Sequence, residues 1–196
     1  MTRTMLTSDT KLTSELTHTE QSEFVDLVRG FTAQSWSRPS LCAGWTVRDV
    51  VVHAAAHIHG EQKNATVIAQ YTAGADEDLI AWLAAPPNES TARSLRARRF
   101  TAQIQRGELM IHQQDVRRAL DLPREIAADQ LIEVLEFGLG RVAGILLALN
   151  RQRSTGLRLV ATDSDWTWGR GQEVRGSLEA ILMATAGRGA VLSDLQ

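Results

Sequence analysis

A mainly helical fold, a four-helix bundle with a small C-terminal α+β appendage, is predicted by three features of this 196-residue sequence. Apolar residues recur every three to four positions in several long stretches, the period of helices that bury one face. A capping sequence, Thr46-Val47-Arg48-Asp49, opens the most apolar of these stretches. Beyond residue 150 the period shortens toward two, as in strands.

Phe24, Leu27, Val28 and Phe31 recur at i, i+3, i+4 and i+7 and predict a first helix over residues 19–34. A loop containing Pro39 and Gly44 leads to Thr46, the N-cap of a second helix, whose Asp49 reaches back to the Thr46 amide. The run Val50-Val51-Val52-His53-Ala54-Ala55-Ala56-His57-Ile58 is apolar almost all round, so this helix is packed on several sides, and it is expected to continue to residue 71. A short amphipathic helix over 76–85 carries Leu79, Ile80, Trp82 and Leu83 and stops at Pro86-Pro87. A long helix follows Asn88 and runs through Phe100 to Leu120, with Pro123 beyond its end. Leu131, Val134, Leu135, Leu139, Val142, Ile145, Leu146 and Leu149 predict a bundle helix over 129–149. Residues 156–162 alternate as a strand, 165–169 pair with it as a hairpin carrying Trp166 and Trp168 on one face, and 177–186 form a last amphipathic helix. Such an appendage is too small to stand alone and is expected to pack on the bundle or on a second subunit. The expected organisation is a flexible tail over 1–18, a bundle over 19–150 and the appendage over 151–196.

A net charge of −2 and a pI near 6.2 give no electrostatic reason to expect nucleic acid or an anionic membrane as partner. The Thr- and Ser-rich start has no apolar region, so it predicts neither a signal peptide nor an anchor. No apolar run approaches the ~20 residues that span a bilayer, and the single cysteine, Cys42, has no internal partner for a disulfide. A cytoplasmic protein that handles small molecules is expected, and a homodimer is compatible with the chain.

The residues that point to chemistry lie on two of the predicted helices. Glu108 and His112 are four apart and project roughly 40° from each other, and Asp115 falls roughly 20° to the other side of Glu108. The same stripe carries Ile104 and Ile111, so it is the side that is buried, and a buried carboxylate is neutralised, paired or bound to a metal. His53, one turn beyond Asp49 on the second helix, supplies a third donor. A solvated Glu–His pair, a hydrogen-bonded core histidine and a metal site are the three readings, and two apolar helices with inward-facing donors favour the metal. His57, four residues after His53, is either a fourth ligand that closes the site or a polar residue at its rim. His18 and His59 are expected at the surface. Cys42 lies in the loop before the capped helix and reads as a buried, inert thiol near the site. Trp45 is expected to pack at the helix start, and Arg93, Arg96, Arg98 and Arg99 to form a solvated basic face.

Two motifs, Gly44-Trp45-Thr46-Val47-Arg48-Asp49-Val50-Val51-Val52-His53 and Gly107-Glu108-Leu109-Met110-Ile111-His112-Gln113-Gln114-Asp115-Val116-Arg117-Arg118-Ala119-Leu120, resemble the mycothiol-dependent maleylpyruvate isomerase family, a branch of the DinB-like four-helix bundles. The stretch from Leu159 to Trp166, with Gly176 and Gly187-Arg188 after it, resembles the C-terminal segment of many members. The resemblance implies a divalent metal, usually zinc, held by His53, Glu108 and His112, with one coordination position open. It also implies mycothiol as cosubstrate, a low-molecular-weight thiol whose metal-bound thiolate attacks a small electrophile. Asp115 matches no ligand position and stands either as a hydrogen-bond acceptor behind a ligating histidine or as an ion-pair partner. The characterised isomerases are expected to carry a larger C-terminal α/β domain than this chain, which favours S-transfer to other electrophiles over isomerisation of maleylpyruvate. The alternative is a bundle that binds metal or a small molecule without turnover, as a sensor or interaction module.

Overall fold

The computed structural model describes residues 3–87, 94–140 and 154–196, with side chains from residue 11 onward. Its elements are α1 (Arg3–Arg29), α2 (Ala33–Ser37), α3 (Val47–His59), α4 (Ala65–Ala73), α5 (Asp76–Ala84), α6 (Leu95–Ala119), α7 (Ala128–Gly138), β1 (Leu157–Ala161), β2 (Thr167–Gly169), β3 (Gln172–Gly176), α8 (Leu178–Thr185) and a 3₁₀ turn (Gly189–Asp194). The chain divides into two compact units, Met1–Leu122 and Pro123–Gln196. Among the described residues no helix is long and apolar enough to cross a membrane.

In the first unit α6 packs on α1 and on α3, and α5 also packs on both, so four helices enclose one core. Phe24 and Val28 of α1, Val50, Val51 and Ala54 of α3, Leu79 and Leu83 of α5, and Leu109 and Val116 of α6 fill it. Fourth place in the bundle is therefore taken by the short helix α5, where the sequence had pointed to residues 129–149. Only the first part of that stretch, α7, is described, and it belongs to the second unit; residues 141–149 lie outside the described ones, as does the start of the long helix after Asn88.

Two boundaries differ from the sequence expectation for local reasons. The region expected as a tail is helical in α1, and Thr13 and Thr17 are buried. Thr17 donates its hydroxyl to Thr13 O (2.8 Å) and to Ala102 O on α6 (3.1 Å), and Gln21 donates to Leu83 O at the end of α5 and to Ala85 O just after it (2.7 and 2.9 Å). Polar side chains rather than apolar periodicity tie down the part of this helix that precedes Phe24, which a hydrophobic pattern does not register. The second difference is in α3, which stops at His59 because Gly60 adopts the left-handed conformation (φ 72°) and its amide bonds Ala56 O and His57 O. Asn64 then caps a separate helix, α4, through Val67 N. Arg48, at the start of α3, ties that end of the helix to the α4–α5 connection, donating to Tyr71 O (3.0 Å) and Thr72 O (2.8 Å) and pairing with Asp76.

The second unit contains the expected hairpin and one further strand. β1 pairs with β2 antiparallel and with β3 parallel, giving the order β2-β1-β3. Trp168 stands opposite Leu159 in the β1–β2 register, and Trp166, before β2, is buried. Leu131 and Leu135 of α7, Leu159 of β1, and Leu178, Ile181 and Leu182 of α8 are buried, and α7 and α8 pack together. Ser177 caps α8 through Ala180 N, and the Asp163 carboxylate accepts from Leu178 N at 3.0 Å.

A sharp link of two residues carries the chain from β2 to β3 across the start of β1. At Gly171 φ is 133°, and a Cβ there would lie 1.9 Å from Gly156 O, a backbone atom that cannot move aside alone. Replacing Gly171 with alanine should therefore destabilise the protein by about 2 kcal/mol or more. Thermal unfolding measures this, and an unchanged melting curve would show that the crossing is looser than described.

Candidate metal centre

α6 is buried almost all round from Ala102 to Val116, so it is the central helix of its unit and not a surface helix with one wet face. Glu108, His112, Gln113, Gln114 and Asp115 lie within this stretch and are each at most 5 % exposed. α3 runs against it. The predicted capping box is present: Thr46 Oγ1 accepts from Asp49 N (3.2 Å) and Asp49 Oδ2 accepts from Thr46 N (2.8 Å). By fixing where α3 begins, the cap also fixes its rotational phase, and His53, two turns in, faces α6.

The three predicted donors come together. His112 Nε2 lies 3.3 Å and His53 Nε2 3.8 Å from the same Glu108 oxygen, Oε2. All three ligand atoms fall within 4.8 Å of one another, and the two imidazole rings meet edge to face at 4.8 Å. The spacing tests whether an ion fits. Donors 2.0–2.1 Å from a tetrahedral centre stand about 3.4 Å apart, between the two observed separations, whereas a good N–H···O bond is nearer 2.9 Å. Two imidazole nitrogens and one carboxylate oxygen are also a donor set that zinc and other divalent ions accept. The residues fit the group.

On the far side of the His112 ring, Nδ1 donates to Asp115 Oδ2 at 2.9 Å. Asp115 is fully buried. Its bond holds a proton on Nδ1 and turns Nε2 toward Glu108 and His53, so Asp115 stands as a hydrogen-bond acceptor behind the His112 ring. His57 does not join the converging group: its ring centroid is 6.2 Å from that of His53, and its buried Nδ1 has no hydrogen-bond partner among the described residues.

Two nearby residues differ from expectation. Cys42 is half-buried and donates its thiol to Asp115 Oδ2 at 3.0 Å, with His112 Nδ1 4.0 Å away. Trp45 is 38 % exposed and its indole stands 5.0 Å from the His53 ring. Both sit in the loop before α3, closed by a bridge between Pro39 and Thr46; their nearness in sequence to the capping box was the available signal. His59, expected at the surface, is buried, donates Nε2 to Trp82 O at 2.9 Å and stacks on the Trp82 ring. His18 is exposed as expected, and so are Arg96 and Arg98, with Arg99 half-buried; Arg93 lies outside the described residues.

The electrostatics follow from burial and partners. Burial alone would raise the Glu108 carboxyl, but hydrogen bonds from His112 and His53 outweigh it and hold the group well below the usual carboxylate range. Burial likewise opposes the His112 cation, yet bonds to Asp115, Cys42 and Glu108 raise it well above the ordinary histidine value. Burial pushes His57 down, offset in part by the Glu108 charge. In the metal-free protein a raised His112 contributes stability that is complete below the unfolded value near 6.5 and is lost as pH rises through its folded value. The melting temperature of metal-free protein should thus fall as pH is raised above neutrality, and His112→Gln should flatten that fall. An equal slope in the variant would assign it to other groups. Because binding an ion at Nε2 displaces the His112 proton, zinc affinity should increase with pH over the same range, measurable by chelator competition.

Residues 17–61 match the family model of the mycothiol maleylpyruvate isomerase N-terminal domain. That segment holds His53, Cys42 and Trp45 and ends before Glu108. No curated protein sequence matches the chain significantly. Among solved structures, the chain is similar to a crystal structure of mycothiol-dependent maleylpyruvate isomerase, with 18 % identity, a TM-score of 0.61, and coverage of 92 % of this chain and 90 % of that one. It is also similar to a histidine-to-alanine mutant of that enzyme, with 17 % identity, a TM-score of 0.62, and coverage of 95 % and 92 %. At such identity the likeness shows the fold. The coverage corrects one expectation: the solved isomerases do not carry a C-terminal domain that this chain lacks, since residues 123–196 already form a unit and the match spans about nine-tenths of the isomerase chains. The chain thus resembles the mycothiol-dependent maleylpyruvate isomerase family on two counts, a matching N-terminal domain over residues 17–61 and a shared fold over nearly its whole length.

Proposed function

We propose that this chain is a metal-dependent thiol enzyme that uses mycothiol as cosubstrate for isomerisation of, or S-transfer to, a small electrophile. The observation that carries the reading is the convergence of His53 Nε2, Glu108 Oε2 and His112 Nε2 from two helices of a buried core. The matching domain and the isomerase fold support it. His53, Glu108 and His112 would hold the ion, zinc by donor type. A divalent ion in such a site supplies a Lewis acid that favours the thiolate form of a bound thiol near neutral pH.

The remaining work falls to the chain. Asp115 fixes the His112 ring and would keep the proton on Nδ1 when an ion displaces the one on Nε2, so one ligand is oriented before anything binds. Three protein donors leave a position for a thiol sulfur, the arrangement of catalytic zinc sites, and His57 stands outside the donor set. His53 is about one-third exposed whereas Glu108 and His112 are almost completely covered, so a small molecule would approach from the His53 side, past the Trp45 indole. Holding thiol and electrophile side by side adds a proximity gain that needs no further nucleophile from the protein.

Elemental analysis of protein purified without added metal should find about one divalent ion per chain, lost in His53→Ala, Glu108→Ala and His112→Ala. Metal content unchanged in all three would remove the site. With the ion in place, a panel of electrophiles that includes maleylpyruvate should give mycothiol-dependent product above background, abolished by His112→Ala. An intact metal site with no thiol-dependent product would favour the binding module, and absence of metal would reduce the cluster to a polar contact between helices.

A further inference from the structure

We propose that Trp45 is a binding residue for the sugar of the thiol cosubstrate, and that it makes the site favour a glycosylated thiol over a bare one. This deepens the reading above and rests on it. Mycothiol carries its sulfur on an acylated cysteine whose amide leads to an amino sugar and then to an inositol ring. The side chains of Glu108 and His112 are 7 % and 5 % exposed and that of His53 31 %, so a molecule whose sulfur reaches the donor set extends outward on the His53 side. The Trp45 indole stands on that side, its ring centre 5.0 Å from that of His53 and its plane tilted by 57°. Five bonds separate the sulfur from the amino-sugar ring, a span on the order of 6 Å, so the sugar of a thiol held at the donor set comes within reach of the indole.

Trp36 and Trp166 are buried, whereas Trp45 is the one aromatic residue among the large apolar side chains that stay exposed on the described residues. A pyranose ring has a face of C–H bonds and a rim of hydroxyls. An indole answers both, with a flat apolar face and a single N–H at its edge. The hydrogen bonds of Trp45 to the described residues are all made by its backbone, which leaves that N–H to a ligand. The platform is also fixed in advance. Trp45 N donates to Cys42 O at 3.0 Å, Trp45 O accepts from Ser40 N (2.8 Å) and Ser40 Oγ (2.9 Å), and the Pro39–Thr46 bridge closes the loop. A ring carried on backbone held in this way loses little freedom when a ligand packs on it.

Calorimetric titration of the zinc-loaded, full-length protein tests this with two probes, mycothiol and N-acetylcysteinamide, which has the same acylated cysteine and no sugar. Zinc affinity is read separately by chelator competition, and melting curves verify that Trp45→Ala and Trp45→Phe fold. Wild type should bind mycothiol about ten-fold more tightly than the sugar-free thiol. Trp45→Ala should weaken mycothiol by about three- to ten-fold, the scale of one aromatic contact, and leave the affinities for N-acetylcysteinamide and zinc within about two-fold of wild type. Trp45→Phe keeps a flat ring and should recover part of the loss. A wild type that does not distinguish the two thiols, or an alanine variant that binds mycothiol as wild type does, would overturn the proposal. So would a loss that phenylalanine does not lessen, or an equal loss of both thiols that follows weaker zinc binding, which would make Trp45 a support for His53. A wild type that takes up no zinc, or zinc but neither thiol, would overturn the thiol reading itself and this assignment with it.

Discussion

A carboxylate in the middle of a protein core is the constraint from which the first unit is organised. Glu108 sits on a helix whose sides are covered over four turns, where an unpaired charge would cost several kcal/mol. Two imidazoles facing the same Glu108 oxygen remove that cost, one from its own helix and one from α3. The second imidazole is what requires α3 to lie against α6 at this level and in this rotation. Packing of valines and alanines would hold the two helices together in many registers; the shared carboxylate selects one.

Local sequence chemistry delivers His53 to that register. The Thr46–Asp49 capping box sets the start of α3, Gly60 sets its end, and Arg48 in its first turn ties that start to Tyr71 and Thr72 of α4 and to Asp76 of α5. Behind His112, Asp115 plays the corresponding part, accepting from Nδ1 so that Nε2 faces inward. Donors held in this way by secondary structure and by partners of their own form a preorganised set, the usual requirement for tight and specific metal binding. Burial and exposure are divided unequally among them, with His53 the one donor open in part to solvent.

Much of this was legible in the sequence because it rests on period and caps. The capping box, the inward stripe of Glu108, His112 and Asp115, the hairpin and the helix that Ser177 caps all follow from spacing, and the structure brings the three donors together. The missing parts are long-range or polar. Nothing in the period of residues 11–18 shows that Thr17 will bond Ala102, and the continuous apolar pattern from Val50 onward hides the left-handed turn at Gly60. α5 was legible as a short amphipathic helix but not as a bundle member, and Leu79 and Leu83, completely buried, make it a wall of the core. Cys42 and His59 were misjudged because a thiol's acceptor on another helix, or a ring stacked on Trp82, depends on tertiary neighbours that one-dimensional patterns do not carry. The third strand, β3, escaped because it alternates poorly and pairs in parallel with β1 across a glycine link.

The account stands on one ion bound jointly by α3 and α6. X-ray absorption of the zinc-loaded protein tests this most directly, since it reads the atoms around the metal without reference to activity. The predicted shell contains two histidine nitrogens and a carboxylate oxygen at about 2.0–2.2 Å, and it should lose one nitrogen in His53→Ala. A protein-sulfur scatterer near 2.3 Å, from Cys42, or a shell unchanged by His53→Ala, would contradict it.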